Sequence, residues 1–496
     1  MVLPPGPRTP AVVNSLRFAH RPLEALQSWR ARYGDVFTVK LLGFGTGVHV
    51  ADVEAIRELF TGDQSDLRAG EANSFLEPVL GEHSVLVLDG PEHLRQRKLL
   101  LPPFQGSRVG AFREVIHEVA EREVASWRPG ARLVLRERMR ALTFEVICRA
   151  VFGVTEPERV ERLRQRLAAV IDSNPIFMIA PAARTDLGPL SPGGRFARRL
   201  RAADALLYEE IGRRREEAGL EERSDVLSLL LRARDEQGRA MTDGELRDEL
   251  VTMLGAGHET TATGLAFAFE LLLRNPRALA RLREELEAGE ADAYLDAVVK
   301  ESLRLRPVID AAERTLTVPR TVAGWQLPAG VKVYPGIALV HLREDLYERA
   351  HEFRPERFLD EGAESYSWLP FGGGVRRCIG AALAQAEMAE VLRVAVAAVD
   401  LRPLRARPDP VVLRGITLAP RHGVPVVVEP RPRKSSARAA TAARPGEPVG
   451  SAPTAAPAVG QRGNDRAPVA APSVEAHARG AGVSPAWQSP RTGPNS

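Results

Sequence analysis

The sequence predicts a mainly α-helical fold with small peripheral β-sheets. Three observations carry this. Long amphipathic stretches over 92–100, 108–128, 136–153, 156–173, 191–218 and 223–236 repeat apolar residues between charged ones at helical spacing. A longer pattern runs from Thr242 to about Arg274, with a start signal and a stop signal. Strand-like runs are short and fall near the beginning and in the last third.

The elements follow in order. After a proline-rich start, Leu23 to Arg32 reads as a helix, Val36 to Leu41 and Gly47 to Val50 as strands, and Val53 to Thr61 as a helix. Residues 70–90 read as loop mixed with short helix, and the amphipathic helices come next. In the long helix, Thr242-Asp243-Gly244-Glu245 is a capping box, with Thr242 accepting from the first turn and Glu245 reaching back. Asn275-Pro276 stops it, because the residue before a proline disfavours the helical region. At 1.5 Å per residue such a helix is roughly 50 Å long and crosses a domain. Gly255 and Gly257 weaken its middle, and the adjacent Thr pair bonds back to carbonyls, so a distorted turn is expected there. Distortions of that kind often mark functional sites. Strand signals return at Thr315–Ala323, Val331–Tyr334, Val411–Leu413 and Val424–Glu429, and there is no internal repeat.

Composition bounds the function. With 44% hydrophobic and 27% charged residues, the chain is ordinary for a soluble globular protein, and its 496 residues alone suggest two or three domains. The pI near 9.2 points toward nucleic acid, but the excess charge sits at the end. From Arg431 onward nine Lys or Arg face three Asp or Glu, a net of +6, and since the whole chain is +4, residues 1–430 carry about −2. The 431–496 tail is Ala, Pro, Gly, Ser and Arg with Trp487 as its one aromatic, so it is expected to be a disordered extension. No run of eighteen apolar residues occurs and the start lacks an apolar signal segment, so neither a membrane anchor nor a signal peptide is expected.

There are two cysteines. Cys148, in Leu142-Thr143-Phe144-Glu145-Val146-Ile147-Cys148, reads as a small buried hydrophobe. Cys378 lies in Phe371-Gly372-Gly373-Gly374-Val375-Arg376-Arg377-Cys378-Ile379-Gly380, just before a helix-like run. That setting suits a metal-ligating thiolate. Glycines let N–H groups turn toward sulfur, arginines supply positive charge, and a helix N-terminus adds more. One cysteine is a poor zinc site, whereas haem iron needs one axial protein ligand. No disulfide is expected, in keeping with a reducing cytoplasm.

The spacing Phe371, Gly374, Arg376, Cys378, Gly380 resembles the haem-binding loop of the cytochrome P450 superfamily. Lys300-Glu301-Ser302-Leu303-Arg304 is similar to its Glu-x-x-Arg helix, Ala256-Gly257-His258-Glu259-Thr260-Thr261 to its oxygen-activation motif, and Phe353-Arg354-Pro355-Glu356-Arg357-Phe358 to its meander. All four occur in the family's order. The resemblance covers residues 1 to about 430 and implies one large domain, with haem b between the long helix and the helix after the Cys loop. It identifies the chain as a bacterial-type, cytoplasmic, monomeric haem-thiolate monooxygenase. One departure stands before the meander, where the family often has a His-Arg-Asp-Pro-like segment and this chain has His341-Leu342-Arg343-Glu344-Asp345.

Residue by residue, the resemblance implies that Cys378 is the axial ligand and that Glu259 and Thr260 relay protons to dioxygen. Glu301, Arg304 and Arg357 would form a structural triad. His93, Arg97, Arg314 and Arg376 would bind the haem propionates. Implied pocket segments are 71–88, 174–181, 252–260, 308–313 and 414–418, containing Phe75, Leu76, Val79, Leu80, Phe177, Met178, Ile179, Ala256, Val308, Ile309 and Ile416, so an apolar pocket is expected. A fatty acid, terpenoid, steroid or polyketide-like substrate would fit. The chain has no glycine-rich nucleotide fingerprint and no ferredoxin-like cysteine cluster, so electrons are expected from a separate ferredoxin and its reductase, steered to a basic face near Arg377. The rivals are a peroxygenase or isomerase needing no electron donor and a haem-based gas or redox sensor. The intact Glu259-Thr260 pair speaks against the former and the absence of a folded signal in the tail against the latter.

Overall fold

In the computed structural model, residues 2–105, 107–171, 181–289, 292–359 and 366–430 are described. Phe177, Met178, Ile179 and the 431–496 tail lie outside them. The chain divides into Met1–Pro432 and Arg433–Ser496, and only the first is treated below.

The central helix, Asp243–Arg274, has 32 residues. Both halves of its capping box are made: the Glu245 N–H donates to Thr242 Oγ1 at 3.2 Å, and the Thr242 N–H donates to the Glu245 carboxylate at 2.7 Å. Asn275 ends it and Pro276 starts the next helix. Its ends are core: Leu246–Thr252 and Thr261–Leu272 are buried. Between them Ala256 is exposed, although it lies at the middle of the helix. The expected distorted turn does not occur, and residues 255–261 are α-helical throughout. Thr252 and Thr260 do bond back, to the carbonyls of Asp248 (2.7 Å) and Ala256 (2.6 Å), without interrupting the ladder. The glycine instead permits close packing. A Cβ on Gly257 would stand 2.6 Å from Ile147 Cδ1 of the helix Leu135–Phe152. The opposite flank packs on Ala381–Ala398, where a Cβ on Gly264 would stand 3.2 Å from Met388 Sδ.

The sheets are peripheral. The largest has the order Val36–Leu41, Gly45–Val50, Lys332–Pro335, Arg314–Leu316, Leu67–Arg68. Only the pairing of Gly45–Val50 with Lys332–Pro335 is parallel in that sheet. Arg132–Val134, Pro425–Glu429 and Asp400–Pro403 form a three-stranded sheet, and Val411–Arg414 and Thr417–Pro420 form a hairpin. The strand read over 315–323 is two strands, Arg314–Leu316 and Arg320–Val322, separated at Pro319, which has no N–H to donate. The helix read over 223–236 shrinks to Val226–Arg232. Asp225 caps it by accepting the Ser228 N–H at 3.0 Å, and the chain turns at Asp235–Gly238. The sequence reading omits the helix Ala11–His20, whose pattern is inverted: Val12, Val13 and Leu16 face solvent while Asn14 and Phe18 are buried.

Candidate active site

The Cys loop is shaped by one glycine above all. Gly374 has φ +63°, and a Cβ there would stand 1.9 Å from the Phe60 carbonyl oxygen, so no other residue fits. The loop folds back so that the Cys378 N–H donates to the Phe371 carbonyl at 2.9 Å. Gly380 then leads into the helix Ala381–Ala398. Cys378 is exposed, yet surrounding protein pushes its thiol above the usual range, opposed by the Gly380 N–H and by Arg377 and Arg97. Both facts hold if the sulfur sits at the floor of an internal recess rather than on a convex surface. Cys148 is fully buried in the core, where burial lifts its thiol further.

Four donors cluster near Cys378, Arg97 beside its sulfur and His93 among Arg97, Arg314 and Arg376. His93 and Arg97 come from the helix Gly90–Leu100, Arg314 from the five-stranded sheet and Arg376 from the Cys loop. They crowd one another. Burial, then Arg376, Arg97 and Arg314, pull His93 down to about 3, so it is a neutral N–H donor. Burial and Arg376 bring Arg314 down to about 10. Arg376 is also brought to about 10, by burial first, even though it pairs with Asp89 at 2.6 Å. The buried Nε atoms of Arg314 and Arg376 have no hydrogen-bond partner. A buried set of mutually repelling donors with orphaned N–H groups suits a ligand carrying carboxylates, and a single thiol beside them suits one axial bond. The residues fit haem on both counts.

On the central helix, Thr260 donates to the Ala256 carbonyl, and its oxygen still offers lone pairs. Glu259 is tied to the helix Leu135–Phe152 by Arg136 and by Arg140, the latter at 2.6 Å. Sequence reasoning missed these arginines, which are ordinary charged residues of an amphipathic helix.

Glu301, Arg304 and Arg357 meet behind the Cys loop. Arg304 grips Glu301 through two bonds, 2.7 and 2.8 Å, both side chains being wholly buried, and Arg357 Nε donates to the same carboxylate at 3.1 Å. Arg304 also donates to the carbonyls of His341 (2.6 Å) and Ala350 (2.8 Å). His341, in the segment that departs from the family pattern, links this cluster to the Cys loop. Its Nε2 accepts the Leu369 N–H at 2.7 Å, and its Nδ1 lies 3.2 Å from the Arg304 carbonyl. Burial, then Arg304, hold it down at about 3, so it is neutral. Phe358, Trp368 and Phe371 continue the link, ring edge to ring face, at 6.2 and 5.9 Å.

The described pocket segments meet in pairs. Segment 71–88 reaches the central helix through Leu80 at Gly255 and Ser84 at Thr252, whose hydroxyls are 2.7 Å apart. The Leu418 N–H donates to the Val308 carbonyl at 2.8 Å, and Thr417–Pro420 packs on the central helix. Leu76, Val79 and Val308 are buried, Phe75 and Ile309 partly so. Ile416 is not enclosed: it is 41% exposed at the hairpin tip. Segment 308–313 is also less apolar than expected, since it carries Asp310 and Glu313, whose carboxyls burial raises to about 6 and about 7.

The cytochrome P450 family model matches residues 3–422. Cytochrome P450 135B1 of Mycobacterium tuberculosis is 40% identical over 454 residues, covering 90% of this chain and 96% of the relative. Cytochrome P450 135A1 of the same organism is 38% identical over 433 residues, 87% and 96% of the two chains. The chain belongs to the cytochrome P450 family. It is a haem-thiolate monooxygenase, an oxidoreductase that binds haem b through a cysteine thiolate. Members act on lipophilic substrates with electrons from a redox partner. Retinoic acid-bound cyanobacterial CYP120A1 shares the fold, with TM-score 0.74 and 24% identity over 86% of this chain and 99% of that one. So does the cytochrome P450DA haem domain, with TM-score 0.76 and 23% identity over 87% and 98%. No helix among the described residues is long and apolar enough to cross a membrane.

Proposed function

We propose that residues 1–430 form a monomeric cytoplasmic monooxygenase domain in which Cys378 is the axial thiolate. His93, Arg97, Arg314 and Arg376 hold the haem carboxylates, and Phe371, Gly374 and Gly380 shape the loop. The observation that carries this is the group of four crowded donors near Cys378, two with orphaned N–H groups. When bound, the haem supplies activation of dioxygen and transfer of one oxygen atom to a C–H or C=C bond of the substrate.

The other residues act around it. Thr260 orders water over the exposed face of Ala256 through its acceptor lone pairs and hands on protons. Glu259, kept beside Arg136 and Arg140, anchors that water chain on the side of the helix Leu135–Phe152. Glu301, Arg304 and Arg357 fix the ground behind the Cys loop. Leu76, Val79, Ala256 and Val308, with Phe75 and Ile309, receive a fatty acid, terpenoid, steroid or polyketide-like substrate. Electrons come from a ferredoxin and its reductase. The intact acid–threonine pair favours this reading over a peroxygenase or isomerase. Turnover in isotopically labelled dioxygen with a ferredoxin, its reductase and a lipophile that shifts the haem spectrum tests it. One labelled oxygen atom in the product is expected; label from water or added peroxide alone would contradict the reading.

A further inference from the structure

One buried acid of the central helix is unused by the chemistry above. Glu249 is 0% exposed. Its Oε1 accepts the Val85 N–H at 2.8 Å and its Oε2 has no partner. It lies seven residues before Ala256, two helical turns, on the stripe Glu245, Glu249, Thr252, Ala256, Thr260. That stripe faces two structures. At Glu245 it meets Arg95 and Gln96, neighbours of His93 and Arg97. At Glu249 and Thr252 it meets the strap 83–89, which Asp248, beside the stripe, also holds.

The strap is bonded on both sides. Toward the central helix, the His83 N–H and ring donate to or contact Asp248 at 3.0 Å, Ser84 meets Thr252, and Val85 meets Glu249. Toward the Cys loop, the Val85 carbonyl accepts from Arg376 at 3.1 Å, the Leu88 carbonyl accepts from the same guanidinium, and Asp89 pairs with it. Asp89 is itself fixed by the Gly70 and Glu71 N–H groups, each at 2.8 Å. Val85 is thus bonded through its N–H to the helix that lines the substrate side and through its carbonyl to the arginine beside the ligand cysteine.

We propose that Glu249 is a positioning residue for the cofactor: by holding the Val85 N–H, its carboxyl sets the strap 83–89 and so aims Arg376 at the haem carboxylates. This rests on the assignment of Arg376 above. Burial, with Asp248 and Glu245 adding to it against the Val85 bond, raises Glu249 well above the usual carboxylate range, which favours the neutral acid. The groups around it are Glu245 and Asp248 on its own helix, His83 on the strap and, one bond beyond Val85, Arg376. A neutral acid keeps an acceptor for Val85 without adding a buried anion beside Asp248 and Glu245.

The arrangement predicts that the acceptor matters and the charge does not. Glu249→Gln keeps the acceptor at nearly the same volume, whereas Glu249→Leu removes it. Haem transfer to an excess of apomyoglobin measures cofactor retention, and redox titration measures the potential. We expect haem loss about tenfold faster in Glu249→Leu, the effect of one lost hydrogen bond, with a lower midpoint potential as Arg376 loosens. Glu249→Gln should match the unmodified protein in both. Infrared difference spectra against Glu249→Gln should show the loss of one protonated-carboxyl C=O band, a readout that survives if the Leu variant fails to fold. A missing band, a Gln variant that behaves as Leu, or a Leu variant with unchanged haem loss and potential would each overturn the proposal. The reduced carbon monoxide spectrum of each variant is recorded alongside. It reports Cys378 ligation, so a failure there is distinguishable from a failure here.

Discussion

At the scale of single residues, His341 shows how a neutral side chain can be a structural requirement. Its two ring nitrogens serve opposite roles: Nε2 accepts from Leu369, and Nδ1, which must then carry the proton, donates to Arg304. Protonation would turn the acceptor into a donor facing an N–H. The folded value near 3 lies below the ordinary 6.5, so the unfolded chain binds the extra proton first. Stability is therefore whole above about pH 6.5 and is lost as pH falls toward 3; at pH 5 this group alone removes about 2 kcal/mol. Thermal melts of the unmodified protein and of His341→Gln between pH 5 and 7 check this. The slope should flatten in the variant, which keeps one donor and one acceptor; an unchanged slope would assign the acid sensitivity to other groups.

Thr260 makes a different prediction. Thr260→Ala loses a hydroxyl on a helix that is continuous without it, so folding and haem binding should persist. Product formed per electron consumed should fall at least about tenfold, the remainder leaving as hydrogen peroxide. Equal coupling in the two proteins would remove Thr260 from proton delivery. Both the cysteine and the threonine are legible in the sequence because their neighbours occur at fixed spacing. His341, Glu249 and the arginines that hold Glu259 are not, since their partners lie far along the chain and only the fold brings them together.

At the scale of elements, the Glu-x-x-Arg helix and the meander are joined through one carboxylate. Removing Glu301 strands two cations, one of them wholly buried, whereas removing Arg357 leaves the two-bond grip of Arg304 intact. Glu301→Ala should cost about 3–5 kcal/mol and yield little haem-loaded protein. Arg357→Ala should cost about 1–3 kcal/mol and still load. Haem content per folded chain and denaturant midpoints measure both, and equal losses would show that the meander arginine is the true anchor. The long helix was legible because its capping box and Asn-Pro stop are local signals. The helix Ala11–His20 was not, because its apolar residues point outward. Gly257 was read as a weak point when its partner, Ile147, lies on another helix.

At the scale of the whole molecule, charge is unevenly placed. Residues 1–430 carry about −2, yet Arg97 and Arg377 stand beside the Cys loop, where Arg97 donates to the Arg377 carbonyl at 2.8 Å and leaves the exposed Arg377 side chain outward. Small iron–sulfur carriers are commonly acidic, and a basic face steers them over a screening length of about 10 Å at 0.1 M salt. First-electron transfer from a ferredoxin should slow as salt rises and slow further in Arg377→Glu, with substrate affinity unchanged. Stopped-flow reduction at low salt reads this; unaltered kinetics in the variant would move the docking face elsewhere. The general fold could be read from order and spacing of motifs. The pocket could not, because segment 308–313 carries the acids Asp310 and Glu313, whose enclosure by protein only the fold reveals.

The central claim is that Cys378, and not Cys148, is the haem ligand. Reduced protein under carbon monoxide should show the strongly red-shifted Soret band of thiolate-ligated haem. Cys148→Ser should keep that band, since its thiol is buried in the core, and Cys378→Ser should lose it. Retention of the band in Cys378→Ser would contradict the account.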